Sequence, residues 1–148
     1  MIRIAILGAG GLGRGMATII EARKGFQLVA LADRLGYAYN PKGIASSVLG
    51  RDLESVADLP EGLSSDEAIL DLMQAHGDQI DAIFMALPNL PVDFFAKTIE
   101  QIATETPFQG VVVDALKRTK AVELLLKLPE IDVYVSYDFL QTFIPEKS

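Results

Sequence analysis

The chain has 148 residues, half of them hydrophobic and 22% charged, with a formal net charge of −7. That length fits one domain with a real core, and the acidic balance argues against a nucleic-acid partner, whose phosphates need a basic surface. The lack of cysteine excludes disulfides, thiolate metal sites and a cysteine nucleophile, and one histidine, His76, excludes a multi-histidine metal centre, so no metal is expected. No apolar run is long enough to span a bilayer, so no membrane partner is expected. Arg3 and the glycines that follow make the apolar N-terminus a strand and not a signal peptide, and cytoplasm is the expected location.

Strand-like and helix-like segments alternate along the chain, with no internal repeat. That pattern predicts an α/β fold, a doubly wound parallel sheet of Rossmann type in three αβα layers. Ile2 to Leu7 is a nearly continuous apolar run, as in a strand buried on both faces. A helix is predicted from about Gly11 to Lys24, with Leu12, Met16, Ile19 and Ile20 on one face and Gly25 closing it. Phe26 to Ala32 is the second strand. Leu35 to Gly62 contains Gly36, Pro41, Gly43, Gly50 and Pro60, and reads as a long irregular connection. Within it, a short helix falls in Ile44 to Leu49, and Leu53 to Ala57 is a weak strand or a turn.

Ser64 and Glu67 have capping-box spacing and open a helix that runs to about His76, with Ile69, Leu72 and Met73 inward and Gly77 as its stop. Ile80 to Leu87 is the next strand, ended by Pro88. Pro91 suits the first position of a helix to about Thr104, with Val92, Phe95, Ile99 and Ile102 as its apolar stripe. Gly110 to Asp114 and Ile131 to Tyr137 are strands, and Lys120 to Leu128 is a helix stopped by Pro129. The dinucleotide-binding domain is expected over residues 1–140, with 141–148 as a tail or the start of a linker to a substrate domain.

The first turn reads Gly8-Ala9-Gly10-Gly11-Leu12-Gly13, an instance of G-x-G-x-x-G between a strand and a helix. In that context the pattern has a mechanism. Gly8 allows the tight turn, Gly10 lets a pyrophosphate approach the backbone, and Gly13 lets the helix pack closely on the strand. Gly11 and Leu12 open the helix, whose free N–H groups and dipole favour phosphate. Asp33 ends the second strand, twenty positions after Gly13. An acid there accepts hydrogen bonds from the adenosine ribose and repels a 2′-phosphate, which favours NAD. Arg34 pairs with a 2′-phosphate or lies on the adenine ring, and so admits NADP.

Ligands of open α/β sheets bind beyond the carboxyl ends of the strands. Leu87, Pro88 and Asn89 fall there, where Asn89 either reaches the nicotinamide side of the cofactor or simply turns the chain into a helix. Lys117 either meets substrate as a positive charge or proton donor, or is a solvated lysine. Asp138 is a site residue or a linker residue. His76 fits the last turn of a helix, where a cation is favourable.

The glycine turn, the strand Leu28-Val29-Ala30-Leu31-Ala32-Asp33 and the run Asp81-Ala82-Ile83-Phe84-Met85-Ala86-Leu87-Pro88-Asn89 together resemble the N-terminal domain of two-domain NAD(P)-dependent oxidoreductases. These include homoserine dehydrogenases, glucose–fructose oxidoreductase-type dehydrogenases and diaminopimelate or saccharopine dehydrogenase-like enzymes. The segment from Asp33 to Ile44 is similar to homoserine dehydrogenase-like domains; the Asp81 to Asn89 run looks more like the glucose–fructose type. The resemblance covers roughly residues 1–140. The glucose–fructose type carries Glu-Lys-Pro where this chain has Asp114-Ala115-Leu116-Lys117-Arg118-Thr119, so only Lys117 stands in for that motif. Such enzymes place much of the substrate site on a C-terminal domain, which is expected to be missing here.

Two functions follow. In the first, the chain is the cofactor domain of an oxidoreductase that moves hydride between nicotinamide and a small amino-acid or hydroxy-acid substrate. In the second, it is a non-catalytic NAD or nucleotide sensor, similar in size and motif to the regulatory domains attached to potassium transport systems. A dinucleotide is the expected partner in both, and a homodimer is open in both.

Overall fold

The computed structural model describes residues 1–8, 10–50, 52–86, 92–114 and 132–135. Its centre is a seven-stranded sheet of order β4-β3-β2-β1-β5-β6-β7. The strands are β1 (Ile2–Leu7), β2 (Phe26–Ala32), β3 (Gly36–Tyr39), β4 (Gly62–Ser64), β5 (Ala82–Met85), β6 (Val111–Asp114) and β7 (Asp132–Val135). Three helices are α1 (Gly11–Ala22), α2 (Ala68–His76) and α3 (Val92–Glu105). β2, β1, β5, β6 and β7 are mutually parallel. β3 runs antiparallel to β2, and β4 antiparallel to β3.

The strand pattern explains the layering. Ile4 and Ile6 of β1 point to one face of the sheet, and Ala5 and Leu7 to the other. On the first face, Ala17 and Ile20 of α1 pack with Leu28 and Leu31. On the second, Leu72 and Met73 of α2 and Ile99 and Ile102 of α3 pack with Val29 and Ile83. Each of these large aliphatic side chains contributes about 1.5–3 kcal/mol by leaving water. A sheet with apolar residues on both faces is stable only when both are covered, and that gives the three layers.

The segment expected to be irregular holds the main correction. After Ala32 the chain turns back at once, with the Asp33 N–H donating to the Gly36 carbonyl at 3.0 Å. Tyr37, Ala38 and Tyr39 then pair with Ala32, Leu31 and Ala30. Ala38 is buried and the two tyrosines are half-buried, the period-two alternation of a strand. The rest of the segment covers the α1 face with Ile44, Leu49, Val56 and Leu59, through single 3-10 turns at Ser46–Val48 and Val56–Asp58.

Smaller differences also have physical reasons. α1 stops at Ala22 and Arg23 is extended, after which Gly25 turns the chain with φ 87° and its carbonyl accepts from the N–H of the first strand residue, Ile2. Ile19 is 51% exposed, so the inward stripe of α1 is Ala17 and Ile20, with Met16 half-buried against them. The capping box does not form: Ser64 ends β4, and α2 begins at Ala68, four positions later. Glu67 precedes the helix without a side-chain cap, and Ser65 instead orders the turn before it, its Oγ accepting from the Glu67 N–H at 3.0 Å and donating to the Asp71 carboxylate. The predicted helix Lys120 to Leu128, the tail, and the side chains of Leu12, Val92 and Phe95 lie outside the described residues.

Candidate functional site

The C-terminal edge of the sheet carries the glycine turn. Gly8 follows β1 with φ 110°, in the left-handed half of conformational space that glycine enters without cost. Its N–H donates to the Ala32 carbonyl at 2.8 Å, which ties the turn to the end of β2. A Cβ on Gly13 would lie 2.0 Å from the Gly8 carbonyl oxygen and 3.3 Å from Ile6 Cγ2. Helix α1 therefore rests directly on the turn. A Cβ on Gly10 would meet nothing within 4 Å, so its exposed side faces open space.

Gly10 is also the residue immediately before α1, in the capping position, and it offers no side chain to cap the helix. No acidic residue stands in the first turn. The helix start, with its free N–H groups and positive dipole end, is left for something outside the chain. β1 is the point where connections change direction, with β2 on one side and β5 on the other. The Ala86 N–H donates to the Leu7 carbonyl at 2.8 Å, so the end of β5 lies beside the glycine turn. A crevice at such a switch point is the common ligand site of open α/β sheets.

A cavity of about 280 Å³ opens beside the turn, lined by Gly10, Arg14, Asp33, Arg34, Leu53 and Ser55 among others. It is near the lower end of ligand pockets, about 300–1,000 Å³. It suits one end of a dinucleotide and not the whole of it. The structure thus brings together Gly8, Gly10, Gly13, Asp33 and Arg34. Gly11 and Leu12 are the first two residues of α1. Leu87, Pro88, Asn89 and Lys117 lie outside the described residues. Sequence reasoning passed over Arg14, Glu54 and Ser55, which line the same cavity. Arg14 directly follows the last fingerprint glycine, and that adjacency was the available signal; the other two sit in the connection whose path was not legible.

Asp33 has more protein partners than expected. Its Oδ1 accepts from the Leu35 N–H at 2.9 Å, the Gly36 N–H at 3.1 Å and Ser55 Oγ at 3.1 Å. Its Oδ2 accepts from the Val56 N–H at 2.9 Å. The carboxylate therefore closes the β2–β3 turn and fastens the 55–56 backbone to it.

The opposite end of the sheet carries an ion pair. Arg3, near the start of β1, meets Asp81, just before β5, with Nη2 2.9 Å from Oδ1. Both the Nε and the backbone N–H of Arg3 donate to Asp81 Oδ2. These bonds hold the Asp81 carboxyl below its ordinary value and raise the Arg3 guanidinium further. Tyr39 and His76 stack with ring centroids 3.8 Å apart and planes 7° from parallel, and burial pushes the His76 imidazole down. Among the described residues no group of histidine and acidic side chains is placed to hold a metal ion, and no helix is long and apolar enough to cross a membrane.

No protein-family model matches the chain. One curated relative, the (S)-8-amino-7-oxononanoate synthase BioU of Haloferax mediterranei, is 30% identical over 160 aligned positions. The match covers 84% of this chain and 43% of that protein, so the chain spans less than half of the relative's length. Among solved structures, a candidate myo-inositol dehydrogenase from Sinorhizobium meliloti superposes with a TM-score of 0.56 at 21% identity. It covers 95% of this chain and 37% of its own. At that identity the likeness shows a shared fold, the α/β sheet of Rossmann type with helices on its faces.

Proposed function

We propose that this chain is the nicotinamide-dinucleotide-binding domain of an oxidoreductase. The observation that carries the reading is the glycine turn: an uncapped helix start, an open face at Gly10, and a helix seated on the turn at Gly13. Those features fit a pyrophosphate, which takes its hydrogen bonds from backbone N–H groups and needs no cationic side chain. When bound, such a cofactor supplies the hydride chemistry, and the protein supplies orientation and electrostatics. Gly8, Gly10, Gly11, Leu12 and Gly13 cradle the pyrophosphate. Leu87, Pro88 and Asn89 follow β5 in the chain and are the candidates for the nicotinamide side, with Asn89 as the residue to reach it. Lys117, three positions after β6, is the candidate to meet substrate as a cation or proton donor.

The substrate belongs to the small amino-acid or hydroxy-acid class. The relative's name supports this, since it makes an amino-oxo acid. Residues 1–140 form the cofactor domain, and the wall that orients substrate comes from a further domain. The shares of 43% and 37% in the two matched proteins support that division.

The test is a titration of the chain with NADH and NADPH, read by energy transfer from its four tyrosines to the nicotinamide. Saturable binding of either is the expected result. No binding of both would overturn the assignment. Binding of ATP in preference to either cofactor would favour the nucleotide-sensor reading.

A further inference from the structure

We propose that the cavity beside the glycine turn is built for the 2′-phosphate of NADP(H), held by Arg14 and Arg34, and that Asp33 serves as a turn clamp and not as the ribose acceptor. The inference rests on the dinucleotide reading above and names which of the two cofactors the site selects.

The first observation is the state of the Asp33 carboxylate. A carboxylate offers about four acceptor directions, two on each oxygen. Four protein donors already use it, three on Oδ1 and one on Oδ2. A ribose diol recognised by an acid presents two hydroxyl donors, and only one direction, on Oδ2, is left. Taking both ribose hydroxyls would mean releasing at least one of the four donors, and three of the residues that supply them, Gly36, Ser55 and Val56, are buried. A buried donor left without a partner is penalised in free energy. The charge of Asp33, meanwhile, is spread over four donors, which weakens its repulsion of an incoming phosphate.

The second observation is independent of the first. Arg14 and Arg34 both line the cavity and both are exposed. Among the described residues, neither guanidinium has an ion-pair partner, although the chain carries 20 acidic residues against 13 basic ones. They arrive from different elements, Arg14 from the first turn of α1 and Arg34 from the β2–β3 hairpin. Glu54 is the other acid on the cavity wall, and it is exposed to solvent. Two planar guanidinium forks facing one space match the oxygens of a phosphate dianion. A 2′-hydroxyl gives them nothing comparable.

The experiment is a competition on the full chain, with 2′,5′-ADP and 5′-AMP as the probes for the adenosine end and NADPH and NADH as the whole cofactors. The expected result is at least a ten-fold preference for NADPH over NADH and for 2′,5′-ADP over 5′-AMP, shrinking as salt is raised. Arg14→Ala and Arg34→Ala each lower NADPH affinity about ten-fold more than NADH affinity, and so narrow the preference. Asp33→Asn lowers the melting temperature and leaves the NADPH-to-NADH ratio in favour of NADPH. Equal or tighter binding of NADH, with both arginine variants silent, would overturn this inference and leave the dinucleotide reading standing. Loss of NADH binding in Asp33→Asn at an unchanged melting temperature would restore Asp33 as the ribose acceptor and also overturn it. Failure of every nucleotide to bind would overturn the dinucleotide reading itself.

Discussion

Replacing Gly13 by alanine should damage both stability and nucleotide binding, and the structure sets the size. The new Cβ would lie 2.0 Å from the Gly8 carbonyl oxygen. A tolerable carbon–oxygen contact is about 3.3–3.6 Å, so helix and turn must separate by roughly 1.3–1.6 Å. The obstacle is backbone, which cannot swing aside as a side chain does. Overpacking of this kind costs about 1–3 kcal/mol. Alanine recovers about 1 kcal/mol over glycine in a helix. The net loss is up to about 2 kcal/mol, or up to roughly 8 °C in melting temperature for a chain of this size. Two neighbours serve as controls, because a Cβ at Gly10 or Gly15 meets nothing within 4 Å. Gly15→Ala, inside the helix, should raise the melting temperature by up to about 4 °C. Gly10→Ala should leave stability nearly unchanged and abolish dinucleotide binding by blocking the pyrophosphate. Thermal melts with and without NADPH separate the three. A Gly13→Ala chain that melts with the wild type and binds as tightly would refute the close-approach argument.

The single histidine allows a clean pH test. Its imidazole is pushed below the ordinary value of 6.5 by burial, against a smaller opposing pull from Asp78. The neutral form is thus favoured in the folded chain, so this contribution is complete above pH 6.5 and is lost as pH falls through the lower folded value. Proton NMR should show His76 titrating below 6.5, and His76→Phe should remove that part of the acid sensitivity while keeping a ring against Tyr39. A midpoint above 6.5 would sink the burial argument. Asp81→Asn should lower the melting temperature and leave nucleotide affinity alone, because the Arg3–Asp81 pair sits at the end of the sheet away from the glycine turn. Asp81 is held below 3.8, so its contribution persists at neutral pH and fades only as pH drops past that lowered value. A change in affinity with no change in melting would contradict that separation.

The glycine turn and the parallel strands were legible because their signals are local. Each element there spans a short run whose apolar period or glycine spacing states its own geometry. The hairpin after Ala32 was hidden by neighbours of the opposite character: Gly36, Pro41 and Gly43 read as loop, and Tyr37-Ala38-Tyr39 is too short to outweigh them. The fixed point was Asp33, whose carboxylate holds both the turn and a segment some twenty residues later. No spacing rule encodes such a contact. For the same reason the cavity wall at Glu54 and Ser55 was out of reach, since it depends on where an irregular segment is pinned. The start of α2 at Ala68, three positions later than a cap at Ser64 would give, and Ile19 outside the core are shifts within the usual scale of boundary error.

The order of strands around β1 also sets an order of assembly. β1 pairs on one side with β2, through Ile2 and Phe26, and on the other with β5, through Ile4 and Ala82. The second pairing closes a loop more than three times as long, an entropic handicap of about 1 kcal/mol before any contact repays it. The β2–β3 hairpin is more local still. Residues up to Tyr39 thus make a compact early unit, and contacts close in sequence form fastest. That unit already contains the glycine turn, Arg14, Arg34 and the Asp33 turn. On a ribosome, the adenosine half of the pocket would be shaped before β5 and the nicotinamide side have been synthesised.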